Sequence, residues 1–95
     1  MNKSQIRRLE RVFKGVANHR RIEILLYLEN NKDVSLDSIS DYLGCNFKTI
    51  SEHTRKLKIA GLINKIPTTN YVKHRLTPYG EEVLNIMRDS HILQN

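Results

Sequence analysis

Ninety-five residues leave room for one domain and exclude a catalytic domain with a lid, or two separate lobes. Apolar residues at 39% and charged residues at 27% make the chain too apolar for disorder and too polar for a membrane protein. Sixteen Lys and Arg against ten Asp and Glu give a net charge of +6, which points to a polyanionic partner, either nucleic acid or an anionic membrane.

From Ser4 onward, Ile6, Leu9, Phe13 and Val16 recur at the three-to-four spacing of an amphipathic helix, with Arg and Lys between them. Gly15 weakens the end of that helix. Asn18 is a good N-cap for a second helix through Leu28 or Glu29. Its apolar residues are too many for one stripe, which predicts a central, buried helix. Asn30-Asn31-Lys32-Asp33 reads as a turn. Ser35 caps a short helix with Leu36, Ile39 and Leu43 inward, and Gly44 ends it in the left-handed conformation that glycine adopts without strain. Asn46 caps a further helix from Phe47 to about Ala60, closed by Gly61. Leu62 to Ile66 reads as a strand ended by Pro67, Thr68-Thr69-Asn70 as a polar turn, and Tyr71 to Leu76 as the return strand. Thr77 and Pro78, as cap and first helical residue, open a last helix carrying Val83, Leu84, Ile86 and Met87.

The order is helix, helix, short helix, tight turn, helix, hairpin, helix, so the fold class is mostly α with a small β-hairpin (α+β). Two helices joined by a three-residue turn with glycine form a helix-turn-helix, and the hairpin after the second makes it a winged one. Residues 1–95 are read as this single domain.

Charge is segregated along the chain. Residues 1–21 carry a net +6, residues 22–45 a net −4, residues 46–75 again +6, and residues 76–95 a net −2. A set of solvated helix faces would look the same. The fold decides between the readings, because it gives the 46–75 block a surface on which to present its charge. On the 47–60 helix, Ile50, Thr54, Leu57 and Gly61 share one face with His53 at its edge. Lys48, Glu52, Arg55 and Ile59 occupy the opposite face, flanked by Thr49, Ser51 and Lys56. Such a face suits the major groove: Lys48 and Arg55 match guanine O6 and N7, and Glu52 matches cytosine N4. Lys56, Lys58, Lys65, Lys73 and Arg75 suit phosphates, which position a protein without reading sequence. Ile59 is the misfit on this face.

Leu43-Gly44-Cys45-Asn46-Phe47-Lys48-Thr49-Ile50-Ser51-Glu52-His53, followed by Leu57 and Ala60-Gly61-Leu62-Ile63, resembles the core of ArsR-type winged-helix transcriptional regulators. His74-Arg75-Leu76-Thr77-Pro78-Tyr79-Gly80, with Leu84 after it, fits the same pattern, although MarR-type and PadR-type regulators share that ending. The opening Phe13 to Ile22 resembles the family's second-helix start, so the likeness spans roughly residues 10–90. It implies a homodimer formed through the first and last helices on a two-fold operator. It also implies that Lys48, Thr49, Ser51, Glu52, His53 and Arg55 lie on the recognition helix, and Asn70 and Tyr71 at the wing. Ile6, Leu9 and Phe13 with Val83, Ile86 and Met87 are the candidate dimer surface; an intrachain core is the simpler use of the same residues. The chain departs from the family at His19, which replaces a proline, and at Thr54, which replaces a leucine. Its wing lacks glycine and carries little charge at the tip.

Many relatives of this type sense metals through a Cys-x-Cys pair in the helix before the recognition helix, where this chain has Ser35 and Asp37. Asp89 and His91 have the first spacing of a last-helix site but no second pair follows, so no metal or other cofactor is expected. The lone Cys45 precedes a helix N-terminus, where a thiolate is favoured, yet its turn position normally holds an inward apolar residue, and it is read as inert. A single cysteine, no signal-peptide pattern and no apolar run longer than Ile24 to Leu28 predict a soluble, cytoplasmic chain. No phosphate-cradling loop, Ser/His/Asp set or carboxylate pair suggests an enzyme. The expected function is sequence-specific double-stranded DNA binding as a dimeric regulator, a repressor, with helix 47–60 in the major groove and hairpin 62–76 as wing. The alternatives are a protein-interaction module docking on an acidic partner and a metal-responsive regulator.

Overall fold

The computed structural model describes residues 1–94. Its elements are α1 (Lys3–Val16), α2 (His19–Asn30), α3 (Leu36–Leu43), α4 (Phe47–Ile59), β1 (Ile63–Pro67), β2 (Val72–Leu76), α5 (Pro78–Arg88) and a short 3-10 turn at His91–Leu93. The order matches the expectation, with ends shifted by a residue and the terminal turn added.

Side chains that satisfy orphan backbone donors set most of the helix starts. Asn2 and Gln5 cap α1 reciprocally, each side chain accepting from the other's main-chain N–H. Asn18, Ser35, Asn46 and Thr77 accept from N–H groups in the first turns of α2, α3, α4 and α5. Gly44, at φ 63°, ends α3 as expected. Gly15 has another role. The helix runs on through Val16, and a Cβ at Gly15 would lie 2.4 Å from the Ala60 Cβ, so glycine is required where α1 crosses the end of α4.

The core is built around α2, whose Ile24, Leu25 and Leu28 meet Ile39 of α3, Ile50 and Leu57 of α4, Leu62, Ile63 and Leu84. Bidentate contact between Arg88 and Glu29 ties α5 to α2. Strands β1 and β2 pair antiparallel, with Ile63 opposite Leu76, Asn64 opposite Arg75, Lys65 opposite His74 and Ile66 opposite Lys73. A feature absent from the sequence reading extends this hairpin: Val34 bridges to His74 on the free side of β2. The turn before it reaches that position through Asp33 at φ 59°, a left-handed conformation that Asp tolerates.

Helix α1 contributes little to the core. Ile6, Leu9 and Phe13 are 54%, 40% and 66% exposed, so their stripe faces solvent and the intrachain use of it fails. On α5, Ile86 is also exposed, whereas Val83 and Met87 are half-buried against the core.

Gly15→Ala is expected to destabilise the fold by about 1–3 kcal/mol through overpacking, and adding Ala60→Gly to recover most of that loss; denaturant midpoints of the cycle measure it. His74 is 2% exposed, and burial pushes its pKa below the ordinary 6.5, against hydrogen bonds to the Val34 and Val72 main chain. The folded chain therefore binds fewer protons at this ring than the unfolded chain, and stability present above the unfolded pKa is lost as pH falls below it. Half-buried His53 is shifted the same way, by burial first and then by Arg21. The thermal midpoint should drop between about pH 7.5 and 5.5, with a shallower slope for His74→Gln.

Candidate nucleic-acid interface

Three residues of α4, Ile50, Thr54 and Leu57, are wholly buried and fix the helix on the core. Thr54 stands there as a polar residue without penalty, because its hydroxyl donates to the Ser51 carbonyl at 2.9 Å. The other side of α4 is uncovered: Lys48, Thr49, Glu52, Arg55, Lys56, Lys58 and Ile59 are exposed, and Ser51 and His53 are half-buried. Ile59 at 63% exposure makes no use of the hairpin as cover.

Two of the cations from the 46–75 block are engaged within the chain. The Arg55 guanidinium donates to both carboxylate oxygens of Glu52, Nε to Oε2 at 3.0 Å. That guanidinium holds the Glu52 carboxyl below its usual range. Arg75 grips Asp33 the same way, at 2.7 and 2.8 Å, and holds that carboxyl low as well. The Tyr71 hydroxyl donates to the Asp33 carbonyl at 3.3 Å, so the wing is tied to the α2–α3 turn by side chains and by the Val34 bridge.

Strand register divides the wing cations. Lys65 lies across from His74 on the inward face, and Arg75 and Lys73 lie on the opposite face, because side chains alternate along a strand. Lys65 is half-buried, and its pKa is pushed down by burial and by the neighbouring Lys58 and Arg55. It therefore joins the α4 cations, while Arg75 and Lys73 stand apart from them. At the wing tip, the Thr68 N–H and hydroxyl both bond to the Tyr71 carbonyl, leaving Thr69 and Asn70 outermost and exposed.

His53 points toward the protein. Arg21, which is 8% exposed, contacts His53 Nδ1 at 3.5 Å and donates to the Lys14 carbonyl at 3.3 Å. Since Arg only donates, His53 accepts as a neutral ring and links α4 to α2 and α1. Cys45 is half-buried against the core, its thiol donating to the Leu43 carbonyl at 3.5 Å. Ser35 is occupied as the cap of α3, Asp37 sits in that helix's first turn, Asp89 caps the end of α5, and His91 starts the terminal turn. Among the described residues no three of His, Cys, Asp and Glu converge as a metal site, and no helix is long and apolar enough to cross a membrane. Phe47, the first residue of α4, is 54% exposed, and the sequence alone assigns it no role. Its place at the start of the helix was the available signal.

Comparison with solved structures returns the same architecture. The homodimeric winged helix-turn-helix DNA-binding domain Mb0332 from Mycobacterium bovis, a possible ArsR-family transcriptional regulator, is similar at TM-score 0.80 and 23% identity, over 97% of this chain and 88% of that one. HlyU from Vibrio cholerae is similar at TM-score 0.80 and 25% identity, over 93% of this chain and 95% of that one. An ArsR-like transcriptional regulator from Rhodococcus sp. RHA1 follows at TM-score 0.74 and 21% identity, over 90% and 81%. No curated protein matches by sequence. The family model of the bacterial regulatory proteins of the arsR family matches residues 18–65, which run from the cap of α2 through α3 and α4 into β1. That segment holds the helix-turn-helix and the anchoring residues of α4, and the chain belongs to the ArsR family of bacterial regulatory proteins.

Proposed function

We propose that this chain is a dimeric, sequence-specific double-stranded DNA-binding regulator, with α4 in the major groove, the β1–β2 hairpin as wing, and repression by excluding polymerase from a promoter. The observation that carries the reading is the division of α4. Its inner side is locked by Ile50, Thr54 and Leu57, and its outer side offers Lys48, Thr49, Glu52, Arg55 and Lys56 uncovered. A helix held this way presents its side chains in a fixed register, which base-edge reading requires. Within it Lys48, Thr49 and Ser51, with the Glu52–Arg55 pair, read bases. Lys56, Lys58 and Lys65 hold phosphates, Asn70 and Tyr71 approach the flanking groove at the wing, and Lys73 and Arg75 play at most a peripheral part. His53 positions α4 through Arg21.

Dimerisation is supported by two exposed apolar sets, Ile6, Leu9 and Phe13 on α1 and Ile86 on α5, the latter beside half-buried Val83 and Met87. Arg8 donates to the Tyr79 hydroxyl at 3.4 Å, which sets α1 beside α5. Two α4 helices related by a two-fold axis would address half-sites about 34 Å apart, one turn of B-DNA.

Exposed Ile59 favours a second reading, in which α4 docks on an acidic protein. The same variants separate the two. With DNA selected from a random pool, log affinity should fall linearly with log salt, at about −0.9 per phosphate contacted. Lys56→Ala and Lys58→Ala should weaken all sequences alike and each lower that slope by about one contact, whereas Lys48→Ala should relax discrimination by about 1–3 kcal/mol at one base pair. Salt-independent binding, or variants without effect on DNA, would favour the protein-docking reading. Sedimentation at micromolar concentration should show a dimer, and Phe13→Glu with Ile86→Glu a folded monomer.

A further inference from the structure

An open cleft of about 360 Å³ lies between the starts of α3 and α4 and the wing. Phe47 and Ser51 line one side, Tyr71 and Val72 the other, and Lys65 and Asp37 stand among its polar groups. Phe47, Tyr71 and Val72 are 54%, 43% and 40% exposed, so three apolar side chains that the core does not use face one space beside the cations of α4. The Tyr71 ring is held through its hydroxyl to the Asp33 carbonyl, which keeps that wall in place.

The chemistry of the walls selects the occupant. A phosphate needs converging donors, and here the Asp37 carboxylate shares the lining with the single ammonium of Lys65. A small free ligand needs enclosure, and the cleft is open. A polyanion held outside by Lys56 and Lys58 could present an apolar group to it, and in the major groove of duplex DNA the apolar group on a base edge is the C5-methyl of thymine. Phe47 stands at the N-terminal end of the helix, the end that reaches base edges in helix-turn-helix docking.

We propose that Phe47, facing Tyr71 and Val72 across this cleft, reads the C5-methyl group of a thymine, so that the preferred DNA site carries a thymine in each half that no hydrogen-bonding side chain of α4 specifies. The proposal rests on the DNA-binding reading and adds a specificity-determining residue to it.

Replacing single thymines by uracil in the selected duplex removes the methyl group and leaves every hydrogen-bonding group unchanged. Binding of the full chain by fluorescence anisotropy should weaken about fourfold at one thymine per half-site, which is the roughly 0.8 kcal/mol of one buried methyl group. In Phe47→Ala that sensitivity should vanish, and in Phe47→Leu part of it should remain; melting curves of both variants should match the parent, since the position is half-exposed. Uniform tolerance of uracil by the parent chain, or a fourfold loss that persists in Phe47→Ala, would overturn the proposal. Failure of the random pool to yield any preferred sequence would instead overturn the DNA-binding reading beneath it, before any uracil is introduced.

Discussion

The interaction on which the rest depends is the seating of one side of α4 on the core. Ile50, Thr54 and Leu57 are inaccessible to solvent, and Ile50 and Leu57 meet α2, α3 and β1 in a single apolar cluster. Close packing makes such a seat stiff: a helix keyed into a dense interior can neither roll nor slide without opening cavities. The close crossing of Gly15 and Ala60 clamps the far end of the same helix against α1. The outer side chains therefore share a rigid frame, and their spacing is set by helical geometry.

Charge elsewhere in the molecule is arranged to hold the elements around that frame. Among the described residues Arg21 is buried with no carboxylate partner, satisfied in part by the Lys14 carbonyl and the neutral ring of His53. Arg75 with Asp33, and Arg88 with Glu29, join segments far apart in sequence through bidentate contacts. These pairs are partly solvent-exposed, so each contributes modestly to stability. Their effect is orientation. The wing is held to the α2–α3 turn on one side and to β1 on the other, and its tip is the part left outside these ties.

Much of the fold was legible because its signals are local. Asn18, Ser35, Asn46 and Thr77 each cap within a few residues of their own position, and Gly44 ends α3 by its own backbone preference. The buried face of α4 followed from periodicity alone. What was hidden depends on contacts between distant residues. Nothing near Asp33 announces that it will hold Arg75, or that Val34 will bridge to the hairpin at His74. Gly15 looks like a helix terminator until Ala60 is placed against it. A count of charge treats the wing cations as one group; alternation along β1 and β2, with the register known, sends Lys65 to one face and Lys73 and Arg75 to the other. From sequence His53 reads equally as a half-buried packing residue or a phosphate donor, because its partner Arg21 lies 32 residues earlier.

The grip of Arg55 on Glu52 couples two positions of the outward side of α4 that a residue-by-residue code would treat as separate letters. A substitution at either one also releases its neighbour's charged side chain into solvent, so its effect on this face is carried by both residues. The pair behaves as one symbol.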